Sequence, residues 1–262
     1  GDSMLVLVEV FIDPRDEDLP YLVNDSIVFV TNGTVQDVKL QAWGQDALFK
    51  GNEVIACDTT WTAARPVVLY APVLVDSLCT LTLGPGCRVY GAADAYLYVQ
   101  GTLRANGTAS QRILFRNDRL EPVYENAPGQ WGGIVFLEGT SGNQLNFTTI
   151  RNAEYGLRLG APDSDTIPDV VVRHTVIENM SHSGILCFSS DLHASNTLVN
   201  NCKFYTAAGL GGGNYSFEHC TFSNSGFIFF RETPSFVLSD NIPLDDGGLI
   251  VEDASLSVIN TI

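Results

Sequence analysis

Basic side chains are scarce in this sequence, which has 14 Lys and Arg against 30 Asp and Glu and a formal net charge of −16. Nucleic acids and anionic membrane surfaces are both bound through clustered cations on the protein. We therefore expect neither as a partner. The acidic balance is compatible with solubility outside a cell, with cation binding, or with neutral ligands.

Long apolar runs are missing as well. No run approaches the roughly 20 residues that a membrane-spanning helix needs, and no signal peptide is present at the start of the sequence. We expect attachment to a membrane only through a lipid anchor on a leader that has been removed.

The cysteine spacing excludes the usual zinc motifs. Six cysteines occur, and none of them forms the CxxC pair of a structural zinc site. Two acidic runs lack the D-x-D-x-D-G pattern of a calcium loop, at 13–18 and 163–169. We predict no metal centre and no cofactor, and we interpret the cysteines as core residues. A disulfide between Cys202 and Cys220, or between Cys79 and Cys87, is the alternative.

A repeat organises the sequence. Four segments begin at Leu145, Val172, Val199 and Phe217, at spacings of 27, 27 and 18 residues. Each reads apolar, two polar or variable residues, Thr or Cys, a variable residue, Ile or Phe, a polar residue, then Asn or Thr. A fixed pattern that recurs every 20–30 residues is typical of a solenoid.

The segments are rich in β-branched and aromatic residues and lack helical spacing, so they predict strands. The two residues after each apolar start break strict alternation, which indicates a bend, and bent strands that keep facing inward form a coil of a parallel β-helix. Stacked coils place like residues above one another at about 4.8 Å. The predicted columns are Thr148, Thr175, Cys202 and Cys220, then Ile150, Ile177, Phe204 and Phe222. At the following turn we expect Asn152, Asn179 and Asn224 to adopt left-handed backbone and to bond within the stack.

The first 55 residues have a different character. Two strand-like stretches flank Asn32-Gly33, which is typical of an antiparallel hairpin. Because a solenoid end exposes strand edges, a cap is expected there. We predict an all-β protein, with a small β-sandwich-like or capping module at 1–55 and a right-handed parallel β-helix at 56–262.

Short strands with glycine at each corner carry a family resemblance. The runs LTLGPGCRVY at 81–90, VQGTLRANGT at 99–108, GQWGGIVF at 129–136 and TIRNAEYG at 149–156 resemble right-handed parallel β-helix proteins of Bacteroidetes-type bacteria. Those relatives are commonly secreted or lipid-anchored at the cell surface. The resemblance covers roughly residues 58–230 and implies an extracytoplasmic bacterial location. It does not imply a reaction.

Polysaccharide lyases and pectin-type hydrolases use this fold, so an enzymatic function has to be weighed. The polygalacturonase-like series of Asn-Thr-Asp, Asp-Asp, Gly-His-Gly and Arg-Ile-Lys is absent, and Asp245-Asp246 stands without its partners. Of three lysines only Lys203 lies in the repeats, in an outward slot. We assign no catalytic residue. A non-enzymatic protein is the favoured hypothesis, and a carbohydrate-active lyase or hydrolase with an unfamiliar site is the alternative.

The insertion at 118–129 and its flank hold the candidate site. Tyr124, Trp131 and Tyr155 are aromatic residues that would bind a glycan if their rings were exposed together. In the alternative interpretation Trp131 packs at a coil corner and holds the insertion in place. The sequence therefore favours a cell-surface scaffold, adhesin or glycan-binding module whose partner is a polysaccharide or a host or cell-surface glycan.

Overall fold

The computed structural model describes residues 5–10, 21–160, 165–224, 229–243 and 248–262. The chain divides into two units, residues 1–47 and 48–262. Regular structure in the described ranges consists of strands and a single 3-10 helix, η1 (Pro122–Tyr124). In those ranges no helix has the length and apolarity needed to cross a membrane.

The first unit contains a hairpin of β1 (Tyr21–Thr31) and β2 (Thr34–Gly44), which pair antiparallel along their whole length. Asn32 and Gly33 join them with φ angles of 49° and 81°. Positive φ at both central residues is what a tight type I′ hairpin requires, so the predicted Asn-Gly turn is confirmed. In the described part of this unit the hairpin is the only sheet.

The second unit is a parallel β-helix, as predicted, built from three eight-stranded parallel sheets to which each coil contributes one strand. Sheet 1 consists of β3 (Leu48–Lys50), β6 (Val67–Leu69), β9 (Arg88–Gly91), β12 (Ile113–Asn117), β15 (Thr148–Arg151), β18 (Val176–Met180), β21 (Leu198–Cys202) and β24 (Thr221–Ser223). Sheet 2 consists of β4 (Glu53–Ile55), β7 (Val73–Val75), β10 (Tyr96–Val99), β13 (Gly133–Phe136), β16 (Tyr155–Gly160), β19 (Ser183–Phe188), β22 (Ala207–Leu210) and β25 (Phe236–Ser239). Sheet 3 consists of β5 (Thr59–Trp61), β8 (Thr80–Leu83), β11 (Thr102–Asn106), β14 (Asn143–Asn146), β17 (Val170–Arg173), β20 (Leu192–Ser195), β23 (Gly213–Glu218) and β28 (Ala254–Ile259).

The first coil begins at Leu48, earlier than the predicted boundary after residue 55. Its strands β3 and β4 pair in parallel with β6 and β7 of the second coil. In the last coil an antiparallel pair, β26 (Asn241–Pro243) and β27 (Leu249–Val251), separates β25 from β28.

Inward-facing side chains of successive coils stack in columns, and these columns form the hydrophobic core of the β-helix. One column of sheet 3 passes through successive paired residues of eight coils, namely Trp61, Leu83, Ala105, Leu145, Val172, Ala194, Phe217 and Val258. Phe115, Phe136 and Phe217 are the largest fully buried side chains. A fully buried side chain of this kind contributes about 1.5–3 kcal/mol relative to an exposed one, so the columns account for most of the driving force for folding.

The register of the third repeat segment differs from the prediction. Val172 stacks on Ala194, and Ile177 stacks on Val199, so this segment starts at Ala194 rather than at Val199. Cys202 pairs with Met180 and leaves the column predicted for it. The same shift takes Phe204 out of its predicted column. The cause is Ala194, whose small side chain fills an apolar slot that the sequence pattern assigned to a larger residue.

The corrected register also bears on the alternative hypothesis of a disulfide between Cys202 and Cys220. Because Cys202 and Cys220 do not share a column, a disulfide between these two has no support from stacking. All six cysteines carry free thiols, and four of them are buried: Cys87, Cys187, Cys202 and Cys220.

Asparagines form a ladder along the corner between sheets 1 and 2. Nδ2 of Asn152 donates to Oδ1 of Asn117 (2.7 Å), and Nδ2 of Asn179 donates to Oδ1 of Asn152 (3.2 Å). Asn201 continues the series by donating to Asn179 (3.3 Å). Asn152 and Asn179 both have φ of 62°. The predicted left-handed turns and stack bonds of these two residues are thus confirmed, and Asn201 takes the place that the sequence pattern gave to Thr206.

A corner cleft lined by four coils

A cleft of about 210 Å³ opens at the corner between sheets 1 and 2. Its walls come from residues just before or at the start of β10, β13, β16 and β19, so four successive coils contribute at the same turn. The lining residues are Ala93, Asp94, Tyr96, Gly129, Trp131, Gly132, Glu154, Ser181 and His182. We call this the corner cleft.

Two glycines shape its wall. A Cβ on Gly132 would lie 2.3 Å from the ring of Tyr96, so only glycine lets that ring lie against the backbone. Gly133 has φ of 114°, and a Cβ there would lie 1.9 Å from the carbonyl oxygen of Tyr155. The Gly-Gly pair therefore lets the coils on both sides, with Tyr96 and Tyr155, approach closely at the cleft.

Trp131 forms the floor rather than an exposed platform. Its side chain is only 2% exposed. The indole stacks on Phe115 with centroids 6.3 Å apart and planes 8° apart, and Nε1 donates to the carbonyl oxygen of Arg151 at 2.8 Å. A buried tryptophan whose N–H is bonded is a packing residue. An exposed trio of Tyr124, Trp131 and Tyr155 is therefore not formed, because the tryptophan has no free face.

Tyr124 lies in the insertion, outside the residues that line the cleft. The guanidinium of Arg119 sits 4.2 Å from its ring centroid. The asparagine ladder holds this segment: Nδ2 of Asn152 donates to the carbonyl oxygens of Tyr124 (3.1 Å) and Glu125 (2.9 Å). The insertion is thus fixed to the helix through its backbone.

A row of three rings in tilted contact adjoins the cleft. Tyr155, His182 and Phe204 come from successive coils, and the centroids of each adjacent pair are 4.6 Å apart. All three are half-buried. We call them the ring row. Each member lies three residues after an asparagine of the ladder, a signal that was present in the sequence but was hidden by the wrong register of the third segment.

The chemistry of the cleft is that of neutral hydrogen-bonding groups beside carboxyl groups. The hydroxyl of Tyr96 donates to Glu154. Burial, reinforced by that hydrogen bond, raises the pKa of Tyr96, and burial also raises the pKa of Tyr155. Burial lowers the pKa of His182 below its ordinary value of 6.5, so the imidazole is neutral at pH 7. Together with Asp94, these groups offer several donors and acceptors around an apolar strip.

A second cleft is acidic and is lined by residues that include Asp165, Asp191, Glu252 and Asp253. Asp191 and the nearby Asp169 make structural hydrogen bonds. Oδ2 of Asp169 accepts the backbone N–H of Asp191 (2.8 Å), and Oδ1 of Asp191 accepts from the backbone N–H of Asn214 (2.7 Å). These carboxylates accept hydrogen bonds from backbone N–H groups at the turns beside sheet 3 and so have a structural role. Within the described ranges no group of three or more His, Cys, Asp or Glu residues could hold a metal ion. The acidic run at 13–18, residues 163 and 164, and Asp245-Asp246 lie outside the described residues.

Replacing Trp131 by phenylalanine tests its structural role. We expect a loss of about 1–2 kcal/mol in the free energy of unfolding, because the part-buried hydrogen bond from the indole N–H to the carbonyl oxygen of Arg151 is removed. Alanine should cost about 3–5 kcal/mol through the cavity it leaves. Urea denaturation measures both. If the indole instead served as a ligand platform, W131F would leave stability unchanged and reduce binding.

Comparison with known protein families identifies the repeat region. The family described as "Right handed beta helix region" matches residues 70–222, which is more than half of the chain. No curated protein matches the chain, and no solved structure does. The parallel sheets and the family match agree over the coils that build the corner cleft. The chain belongs to the right-handed β-helix family.

Proposed function

We propose that this protein is a non-catalytic, extracytoplasmic β-helix module that binds a neutral glycan at the corner cleft. The observation that carries the proposal is the junction of the cleft with the ring row. Ligand sites in proteins combine apolar and aromatic walls with a few placed polar groups, and this junction has both. The partner would be a polysaccharide or a host or cell-surface glycan.

The geometry suits a sugar chain that lies along the helix axis. The ring row spans three coils, about 10 Å at the usual strand spacing. The rings of adjacent members are tilted by 37° and 40° relative to one another, and together they form an aromatic strip. Tyr96, Glu154 and His182 stand beside the strip with hydroxyl, carboxyl and imidazole groups that can bond sugar hydroxyls. The net charge of −16 favours a neutral glycan over an acidic one.

Among the described residues that line the cleft there is no Lys or Arg, so a lyase site with a Lys or Arg base is not formed there. It does hold two carboxyl groups, on Asp94 and Glu154, and these favour an inverting glycoside hydrolase as the second candidate. Their coils are separated by two strand spacings, about 10 Å. Retaining hydrolases need about 5 Å and inverting ones about 6.5–9.5 Å. The backbone separation of the two coils is thus nearer to the inverting range than to the retaining one.

Alanine substitution in the ring row should weaken glycan binding. A glycan array with neutral and acidic members first identifies ligands, and calorimetry then gives affinities. We expect Tyr155→Ala and His182→Ala each to reduce affinity by about tenfold, equivalent to about 1.4 kcal/mol. His174→Ala is the matched control, since that histidine stacks on Phe147 at 4.4 Å but lies outside the cleft lining. Equal losses in the control and the ring-row variants would contradict the assignment.

Turnover assays separate the two candidates. Reducing-sugar and unsaturated-product assays are run on the glycans that bind, with the wild type, Glu154→Gln and Asp94→Asn. Binding without turnover supports the module. Turnover that both substitutions abolish would establish the hydrolase instead, and silence in every assay would refute both. Fractionation of cells that produce the protein tests its location.

A further inference from the structure

We propose that Cys57 and Cys79 are a modification site, at which a disulfide oxidant closes a covalent staple between the first two coils of the β-helix. The pairing of the coils carries this inference. Thr59 pairs with Leu81, and the backbone N–H of Thr80 donates to Oδ1 of Asp58 at 2.8 Å. The residues one position earlier are the two cysteines, which therefore stack in neighbouring coils.

The distance is suitable for a disulfide. Paired residues of neighbouring strands lie about 4.8 Å apart, and the Cα atoms of a disulfide are usually about 4.4–6.8 Å apart. Other cysteines have different residues as stacking partners: Cys187 pairs with Leu159 and Gly209, and Cys202 pairs with Met180. Cys57 lies between β4 and β5, and Cys79 lies between β7 and β8, so both cysteines occupy the same turn of their coils.

Accessibility distinguishes the same two residues. Cys57 is exposed and Cys79 is partly exposed, whereas the other four cysteines are buried. Burial, followed by the nearby charges of Asp76 and Asp58, raises the pKa of Cys79. A raised pKa lowers the thiolate fraction at neutral pH, so the exposed Cys57 is the thiol that first meets the oxidant.

The oxidant is a low-molecular-weight disulfide such as oxidised glutathione. The Cys57 thiolate attacks one sulfur of the oxidant, which forms a mixed disulfide and releases one thiol. The Cys79 thiolate then attacks the Cys57 sulfur, and the second thiol leaves. Two protein thiols are oxidised and one disulfide is reduced to two thiols, so electrons and protons balance.

The staple would act at the end of the helix. The three sheets end at β3, β4 and β5, so the first-coil strands pair on one side only within the helix. Coils with fewer partners open locally more often than central ones. A bond between the first coil and the second would suppress that opening.

The full chain, first reduced, is incubated with oxidised and reduced glutathione at pH 7 and pH 8.5, after which free thiols are alkylated. Peptide mapping should find the Cys57 and Cys79 peptides linked, with faster linkage at pH 8.5. We expect limited proteolysis near the first coil to slow by about tenfold. Cys57→Ser and Cys79→Ser should each prevent the disulfide link and leave glutathione on the remaining cysteine of the pair. The control Cys202→Ser should still form the link between Cys57 and Cys79. Separate glutathione adducts on both cysteines of the wild type, with no link, would overturn the proposal.

Discussion

Replacing Gly133 by alanine is expected to lower the free energy of unfolding by about 3–5 kcal/mol. Two costs combine at this residue. Its φ of 114° is a conformation in which a side chain costs about 1–3 kcal/mol. The added Cβ would also lie 1.9 Å from the carbonyl oxygen of Tyr155, so two coils must separate. Forced overpacking of this kind costs about 1–3 kcal/mol more. Urea denaturation with a constant m-value measures the loss.

Gly139→Ala is the matched control. Gly139 also has positive φ, at 87°, but nothing lies within 4 Å of its Cβ position. It should lose only about 1–2 kcal/mol, the cost of the backbone conformation. If the two variants lose equal stability, the close approach of β13 to Tyr155 contributes nothing. Gly133→Ala should also weaken glycan binding, because the moved carbonyl belongs to a member of the ring row.

The repeat made most of the fold predictable. Stacked coils give residues such as Leu145 and Val172 the same surroundings, so the same residue types recur. The repeat pattern gave the wrong register where an inward position of a coil holds an unusually small residue. Ala194 is too small to mark an apolar position by itself, and Val199 five residues later matched the pattern better. The first coil carries no such pattern, so its start at Leu48 could not be read from the sequence.

The site was less predictable because it depends on contacts between coils. Trp131 is buried against Phe115 of the same coil, and its Nε1 donates to the carbonyl oxygen of Arg151 in the next coil. The ring row can be recognised only in the correct register, because the sequence pattern assigns Phe204 to a core column. Once Asn201 is aligned with Asn179, Phe204 falls beside His182. Glycan binding through Tyr155 stays a prediction, and the rings beside Tyr155 are those of His182 and Phe204 rather than Tyr124 and Trp131.

Replacing Asn152 by alanine should lower the free energy of unfolding by about 3–5 kcal/mol. This side chain is fully buried. It donates to Asn117, to the carbonyl oxygens of Tyr124 and Glu125, and accepts from Asn179. Its removal leaves buried polar groups without a hydrogen-bond partner. Each group that water cannot reach costs about 1–3 kcal/mol in the free energy of unfolding. Alanine at a φ of 62° adds about 1–2 kcal/mol.

Two further substitutions separate these costs. Asn152→Gly relieves the backbone but keeps the hydrogen-bond loss, so it should recover about 1 kcal/mol relative to alanine. Asn196→Ala has a similar backbone cost, at φ of 49°, but its side chain is exposed, so it should lose only about 1–2 kcal/mol. Hydrogen exchange supplies a local readout. The Tyr124 and Glu125 amides should exchange faster in both Asn152 variants and at an unchanged rate in Asn196→Ala, because the Asn152 side chain bonds the backbone at those two residues. Unchanged exchange at Tyr124 in Asn152→Gly would mean that other contacts hold the insertion, and the ladder would then stabilise the coils alone.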